Sequence, residues 1–589
     1  MNTVNSFTNI KILSFGRNLT PQEHRKKGHV EATFIYTNDT HGSIANMDKL
    51  ITGIKQKQKE LKPKAPLTIS AGDDLLYYNT LNKKLEQDRR LLLVKALNQI
   101  KPDFIALGDH EVDNGLDQLA ELLRKANFKV VLTNGDLEDT PLKKFKKKIA
   151  KSFIVENPQN GAKFGLLGLT PEDETYYELG KFVAGVKREE SESTESLVKR
   201  RLEATINAIQ EEIKILESKG INKIVLASHL GYEKDTQLVK DPRTDGIDII
   251  IEGHSHDSFE GFTYEKNKEG KKPNVLYSPS GKPIIIVQAG CNAEKFGLLN
   301  LWFDKNGIIV TNKNGKIDGK NEHFLTKKIE PDTKIKKNLD KTIQKIFKDY
   351  PRIGIVKEPI NPIISRDKEN TLLTATLDGF LELAKKKGTD DIKDLDLAMI
   401  NSSTVRAGIN KGELNEGTLS LSFVFEVPMV KTKASEKQIV DTLKFALDKG
   451  NKRGAYDIPQ FSSAVEYQIT EELEDGKKKL SLSGLTIKGK KINIDNPDTD
   501  KKYKIAVRQI YSDTDYWGTA FYNDGKIGER CTDTNGKPLN YVEGLANYLK
   551  KHCKDPKTGE INLDTNPKII KINKTTTPTF SGKKLVLQA

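Results

Sequence analysis

The sequence predicts an α/β protein built on parallel sheets, and three observations carry that expectation. Short apolar runs recur along the first half and stop at turns rather than alternating with polar residues, as strands buried on both faces do. A helical stretch from Leu91 to Ile100 lies between two of these runs, where a βαβ unit places its crossover. Charged residues gather directly after the runs, at the strand ends where open α/β sheets bind ligands.

In chain order, Glu31–Thr37 reads as the first strand and is followed by Asn38-Asp39-Thr40-His41-Gly42. Asp39 and His41, one residue apart, point the same way off an extended segment, so a carboxylate oxygen and an imidazole nitrogen come side by side. Pro66–Ala71 is the second strand; Gly72 allows the sharp turn that presents Asp73. The third, Asp103–Leu107, runs into Gly108-Asp109-His110-Glu111-Val112-Asp113. Lys129–Asn134 and Ala162–Leu169 read as further strands, a polar loop covers residues 184–199, and Leu197–Ser218 reads as a helix. Lys223–Ser228 then ends at His229, and Ile247–Ile251 ends in Gly253-His254-Ser255-His256. Pro283–Gln288 and Asn300–Phe303 close the domain.

Of nine histidines, His41, His110, His229, His254 and His256 all directly follow expected strands, together with Asp39, Asp73 and Asp109. One such histidine is ordinarily a structural residue. Five are explained economically by a shared metal site at one edge of a sheet.

The bulk numbers bound the rest. A chain of 589 residues needs two to four domains. No run approaches the roughly 20 apolar residues of a membrane helix, and residues 1–30 lack a secretory apolar core, which reads as a loose arm. The compartment stays open: cytoplasmic, or exported with the leader missing. Three scattered cysteines form neither a disulfide framework nor a zinc knuckle. The net charge of +14 comes from lysines without interleaved aromatics or a nucleic-acid motif, so nucleic acid is not an expected partner. The positive field does suit phosphate-bearing small molecules. Nothing in the sequence speaks to oligomeric state.

Taken together, the five strand-end segments resemble the calcineurin-like dinuclear metallophosphoesterases and, within them, the 5′-nucleotidase / UDP-sugar hydrolase family, over roughly residues 29–310. The resemblance implies a four-layer α/β/β/α sandwich followed by an α+β substrate-binding domain. Its expected division is an arm (1–28), the phosphoesterase domain (29–315), a linker with a helix (316–355) and the substrate domain (356–589). It implies that Asp39, His41 and His256 hold one metal, that Asp73 bridges, and that Asp109, His229 and His254 hold the second. His110 and Asp113 would be the catalytic dyad. A mixed carboxylate and imidazole shell suits two ions of Mn, Zn, Fe or Co better than Ca. Asp109 stands where the family has asparagine, so three carboxylates face two divalent ions and leave +1 instead of +2.

In the C-terminal half, Asn401-Ser-Ser-Thr-Val-Arg406 resembles the family's Asn-Gly-Gly-Gly-Ile-Arg, which makes Asn401 and Arg406 expected substrate contacts. Phe461 is the expected base-stacking aromatic, with Tyr511, Tyr516 or Trp517 as its partner. The implied activity is hydrolysis of a small phosphoester, a 5′-nucleotide first. A cyclic phosphodiesterase or UDP-sugar pyrophosphatase is the alternative within the same chemistry, and a non-catalytic binding protein the alternative outside it.

Overall fold

The computed structural model describes residues 18–79, 81–172, 182–265, 271–360, 366–453, 456–474, 477–509 and 528–574. The chain divides into two compact units, Met1–Leu76 with Arg90–Thr342, and Tyr77–Arg89 with Ile343–Ala589.

The strands of the first unit begin with β1 (Val30–Thr37), β2 (Leu67–Ser70), β3 (Phe104–Ile105), β4 (Lys129–Val131), β5 (Ile149–Ala150) and β6 (Ser152–Glu156). They continue with β7 (Lys163–Leu169), β8 (Ile224–Ser228), β9 (Ile249–Glu252), β10 (Val275–Tyr277), β11 (Pro283–Val287), β12 (Lys295–Phe303) and β13 (Gly319–Leu325). They form a seven-stranded sheet in the order β13-β12-β1-β2-β3-β4-β5 and a six-stranded one in the order β10-β11-β9-β8-β7-β6. Strands β1 to β5 run parallel, as do β7, β8, β9 and β11. Antiparallel strands β12, β13, β6 and β10 finish the edges.

Alternate residues of both sheets meet in one core: Phe34, Tyr36 and Ile69 from the first, Phe164, Val225, Ile249 and Ile285 from the second. The intervening positions face helices. Leu226, Ile250 and Ile286 join Ile209, Ile213 and Leu216 of the helix Thr194–Ser218 and Leu238 of the helix Tyr232–Lys240. The helix Ile44–Glu60 packs against β1 and β12 and buries Met47, Leu50, Ile51 and Ile54. The fold is the α/β/β/α sandwich.

Residues 18–28 are no loose arm: Thr20 and Glu23 form a capping box on the helix Pro21–Lys26, and His24 is buried in a parallel stack on Trp302, ring centroids 4.2 Å apart. The Lys/Asp-rich stretch after residue 315 is not all linker either. It supplies edge strand β13, which buries Asn321 and leaves Lys320 and Glu322 outside, a polar edge that reads as loop in the sequence. The helix Thr333–Phe347 follows.

The second unit has a five-stranded sheet in the order 459–461, 397–401, 502–508, 429–435, 529–530, and a four-stranded one in the order 490–492, 477–487, 465–474, 570–574. Phe461 is fully buried in the core under the second of these, edge-on to Tyr467. Its strand, Pro459–Phe461, is covered on both faces, so Phe461 offers no surface to a base and that expectation falls. Tyr511, Tyr516 and Trp517 lie outside the described residues. Among the described residues no helix is long and apolar enough to cross a membrane.

Candidate metal centre

Every strand that the sequence marked with a histidine or aspartate at its end delivers those residues to one edge of the sandwich. Asp39 and His41 follow β1, Asp73 follows β2, and Asp109 and His110 form a 3-10 turn after β3. From the other sheet, His229 follows β8, while His254 and His256 follow β9. Asp39, His41 and His256 offer ligand atoms that all lie within 4.8 Å of one another, and so do Asp109, His229 and His254. Asp73 joins both ends, grouping with His41 and His110 and also with Asp39 and His229. The two sheets are stitched at this point, because the His254 backbone N–H donates to both oxygens of Asp39, at 3.0 and 3.1 Å.

The local backbone explains how so many side chains converge. Asp39, His41, Asp73, His254 and His256 all take positive φ, between 46° and 74°, a region that costs a non-glycine residue energy. Surrounding bonds impose it. Asn38 donates to Asp39 Oδ2 (2.7 Å) and to the Gly290 carbonyl (2.6 Å), and its own oxygen accepts from Ala289 N (2.8 Å). Gly108 is required for a different reason: a Cβ there would stand 2.1 Å from Asp73 Oδ1.

Glu111, next to His110 in the chain, has a structural role. Its carboxylate is fully buried and accepts four backbone N–H bonds: Asp73 (2.9 Å), Asp74 (2.8 Å), Leu75 (2.9 Å) and Gly108 (2.7 Å). It therefore clamps the tips of β2 and β3, which carry Asp73 and Asp109. Arg90 holds the far side of the same turn, donating to the carbonyls of His110 (3.0 Å) and Glu111 (2.6 Å). Glu111→Gln puts an amide NH₂ against two N–H donors and is expected to cost about 2–5 kcal/mol of stability, read as a lowered denaturation midpoint.

The donor set fits the ions that the fold implies. His229 Nδ1–H donates to the Ala71 carbonyl at 2.6 Å, which fixes the tautomer and turns Nε2 inward. Nε2 is buried without a hydrogen-bond partner, 3.2 Å from Asp73 Oδ2 and 3.3 Å from Asp109 Oδ1. A lone pair facing carboxylate oxygens requires a positive charge between them, so the residues fit cations. In the ion-free chain protons take that part. Burial opposes the charged form of His229, yet Asp73, Asp109 and Asp39 raise its pKa well above the ordinary histidine range. Burial likewise works against His256, but Asp39 and Cys291 push it up to about 10. For Asp73 and Asp109 burial is the largest influence and pulls upward; the neighbouring histidines outweigh it and hold both below the usual carboxylate range.

His110, which also groups with His41 and Asp73, has a carboxylate partner of its own. Its Nδ1 lies 2.9 Å from Asp113 Oδ2, and its Nε2 is 3.9 Å from Asp73 and 3.7 Å from Asp109. Burial opposes its charge, but Asp73, Asp113 and Asp109 raise its pKa to about 10.

In the second unit, Asn401 is buried and committed to its own turn. It donates to Asp457 Oδ2 (2.8 Å) and accepts from Thr404 (2.7 Å) and Arg508 (3.0 Å). Half-buried Arg406 donates from Nε to the Ser403 carbonyl at 2.8 Å.

Such a double cluster on a sandwich of this layering defines the dimetal phosphoester hydrolases as a class. Residues 32–258 match the calcineurin-like phosphoesterase family. The chain is 26% identical over 521 residues to the trifunctional nucleotide phosphoesterase protein YfkN of Bacillus subtilis, covering 82% of this chain but only 32% of that protein. It is 25% identical to a 5′-nucleotidase-related protein of Glossina morsitans morsitans, over 82% of this chain and 80% of the relative. The crystal structure of a 5′-nucleotidase precursor from Thermus thermophilus shares the fold at a TM-score of 0.54 and 22% identity, covering 92% of this chain and 99% of that one.

Proposed function

We propose that the chain is a metal-dependent phosphomonoesterase of 5′-nucleotides, and the observation that carries this is the position of Asp73, which groups with His41 of one ligand set and with His229 of the other. Asp39, His41 and His256 would hold one divalent ion and Asp109, His229 and His254 the other, with Mn, Zn, Fe and Co the metals this donor chemistry favours. Two such ions would supply an activated water and a clamp on phosphate oxygens. The chain's own residues do the rest. His110, its pKa raised by the surrounding carboxylates and its ring oriented by Asp113, would present Nε2–H to the oxygen that leaves phosphorus and give it a proton. Arg406 would grip a substrate anion in the second unit, and Asn401 would act through the turn that it holds.

Two chromogenic substrates test this. With Mn²⁺ the purified chain should hydrolyse p-nitrophenyl phosphate and AMP much faster than bis-p-nitrophenyl phosphate, and chelator should abolish all three reactions. Preference for the diester would replace the nucleotidase reading by the phosphodiesterase one. No hydrolysis with metal bound would leave a binding protein.

The third carboxylate sets a further expectation. Asp109 lowers the charge left on the ion pair, which tightens ion binding and makes the bound water less acidic. Asp109→Asn should raise turnover at neutral pH several-fold while weakening metal retention on dialysis. A fall in turnover with full metal content would refute this account of Asp109.

A further inference from the structure

Behind the histidines, on the helix-facing side of the second sheet, lies a polar cluster that the phosphoesterase chemistry does not use. Glu252 stands opposite Ser228 in the pairing of β9 with β8, and Ile251 opposite Val287, which makes Gln288 the next neighbour across β11. Ser228, Glu252 and Gln288 are therefore side by side, two residues beyond Leu226, Ile250 and Ile286 of the helix-side core. Asp235, on the helix Tyr232–Lys240, covers this row. All four residues are 0% exposed. Ser228 donates to Asp235 Oδ1 at 2.7 Å.

The cluster does not balance internally. Asp235 Oδ2, Glu252 Oε2 and the Gln288 amide nitrogen are buried without hydrogen-bond partners. Ser255 Oγ lies 2.9 Å from Glu252 Oε1 and 3.1 Å from Gln288 Oε1, but its single proton can serve only one of these acceptors. Turning the Gln288 amide over lets its NH₂ donate to Ser255 and leaves an amide oxygen where the unpartnered nitrogen stood. The unpartnered atoms of the cluster are then all oxygens. The two lysines closest in charge are engaged elsewhere, Lys234 with Glu172 (3.1 Å) and Lys272 with Asp257 (2.8 Å). Among the described residues no lysine or arginine pairs with Asp235 or Glu252.

We propose that Ser228, Asp235, Glu252, Ser255 and Gln288 form a second, oxygen-lined site that takes one hard divalent cation of the calcium class. Two carboxylates match its charge, and carboxylate, amide and hydroxyl oxygens match its ligand preference. The set has neither imidazole nor thiolate, so it sorts against the metals that the histidine centre favours. Its occupant ties the helix Tyr232–Lys240 to three strand ends. Ser228 directly precedes His229, and Ser255 lies between His254 and His256, so the ion braces three histidines from behind. The inference goes beyond the hydrolase reading and does not depend on it.

The test uses the full chain saturated with Mn²⁺, titrated with Ca²⁺, desalted and assayed for both elements, with thermal denaturation in parallel. One Ca²⁺ per chain is expected in addition to the Mn²⁺, with a rise in midpoint of about 3 °C or more. Asp235→Asn and Glu252→Gln should each lose the Ca²⁺ and the thermal response and keep the Mn²⁺. A wild-type chain that retains no Ca²⁺ beyond its Mn²⁺ overturns the proposal. So do variants that are as stable as wild type without Ca²⁺ and respond to it equally. Should a variant not fold, the wild-type calcium count decides alone, and it is read equally well if the histidine centre binds no manganese.

Discussion

Asp73→Asn is expected to remove both ions of the metal centre at once. The side chain belongs to ligand groups at both ends, and Oδ2 stands 3.3 Å from His41 Nε2 and 3.2 Å from His229 Nε2. An amide offers one neutral oxygen, whereas two cations need a carboxylate with two. Losing an outer-shell partner costs about 10–100-fold in metal affinity, so loss of a shared ligand should cut kcat/KM by roughly 10³-fold or more. The variant should emerge from dialysis with less than one metal equivalent. Folding should survive, since the backbone of residue 73 is held by Glu111 and by its carbonyl's bond to His41 N. A variant that keeps two ions and wild-type turnover would remove Asp73 from the centre.

His110→Ala should separate catalysis from metal binding. The ring bonds Asp113 at 2.9 Å and belongs to neither proposed ligand set, so both ions should be retained while kcat falls by about 10²–10⁴, the usual worth of a general acid. The pH profile gives the sharper reading. Three carboxylates raise the His110 pKa to about 10 in the ion-free chain, and two nearby cations pull it back down. Because the acid works only while protonated, the wild-type rate should fall as pH rises through a value below 10. That alkaline limb should be missing in His110→Ala. If it persists, the limb belongs to another group and His110 is not the acid.

Much of the centre was legible because its chemistry is local. A strand that must end buried and a turn that must carry ligands leave a signature in a few consecutive residues, as in Asn38-Asp39-Thr40-His41 or Gly253-His254-Ser255-His256. What was not legible depends on partners far away in the chain. Glu111 looks like one more acid beside His110, and only the fold shows four N–H groups from two strand tips converging on it. Phe461 sits in a polar context, Gln460-Phe461-Ser462-Ser463, that suggests a surface, but Gln460 and Ser462 are themselves buried, bonded to Asn370 N and Ala398 N. His24 was hidden in the same way: its stack on Trp302 joins residues 278 positions apart.

The chain crosses between its two units three times, after Leu76, after Arg89 and after Thr342. Thirteen residues from the early part of the sequence therefore complete the later unit, where Tyr77 bonds Glu426 (2.8 Å) and buried Arg89 bonds the Ser420 carbonyl (2.6 Å). On the ribosome that unit has its first strip of polypeptide in hand some 250 residues before the rest is translated. A cut after Thr342 would likewise leave those thirteen residues on the N-terminal piece, so the C-terminal piece is not a free-standing module.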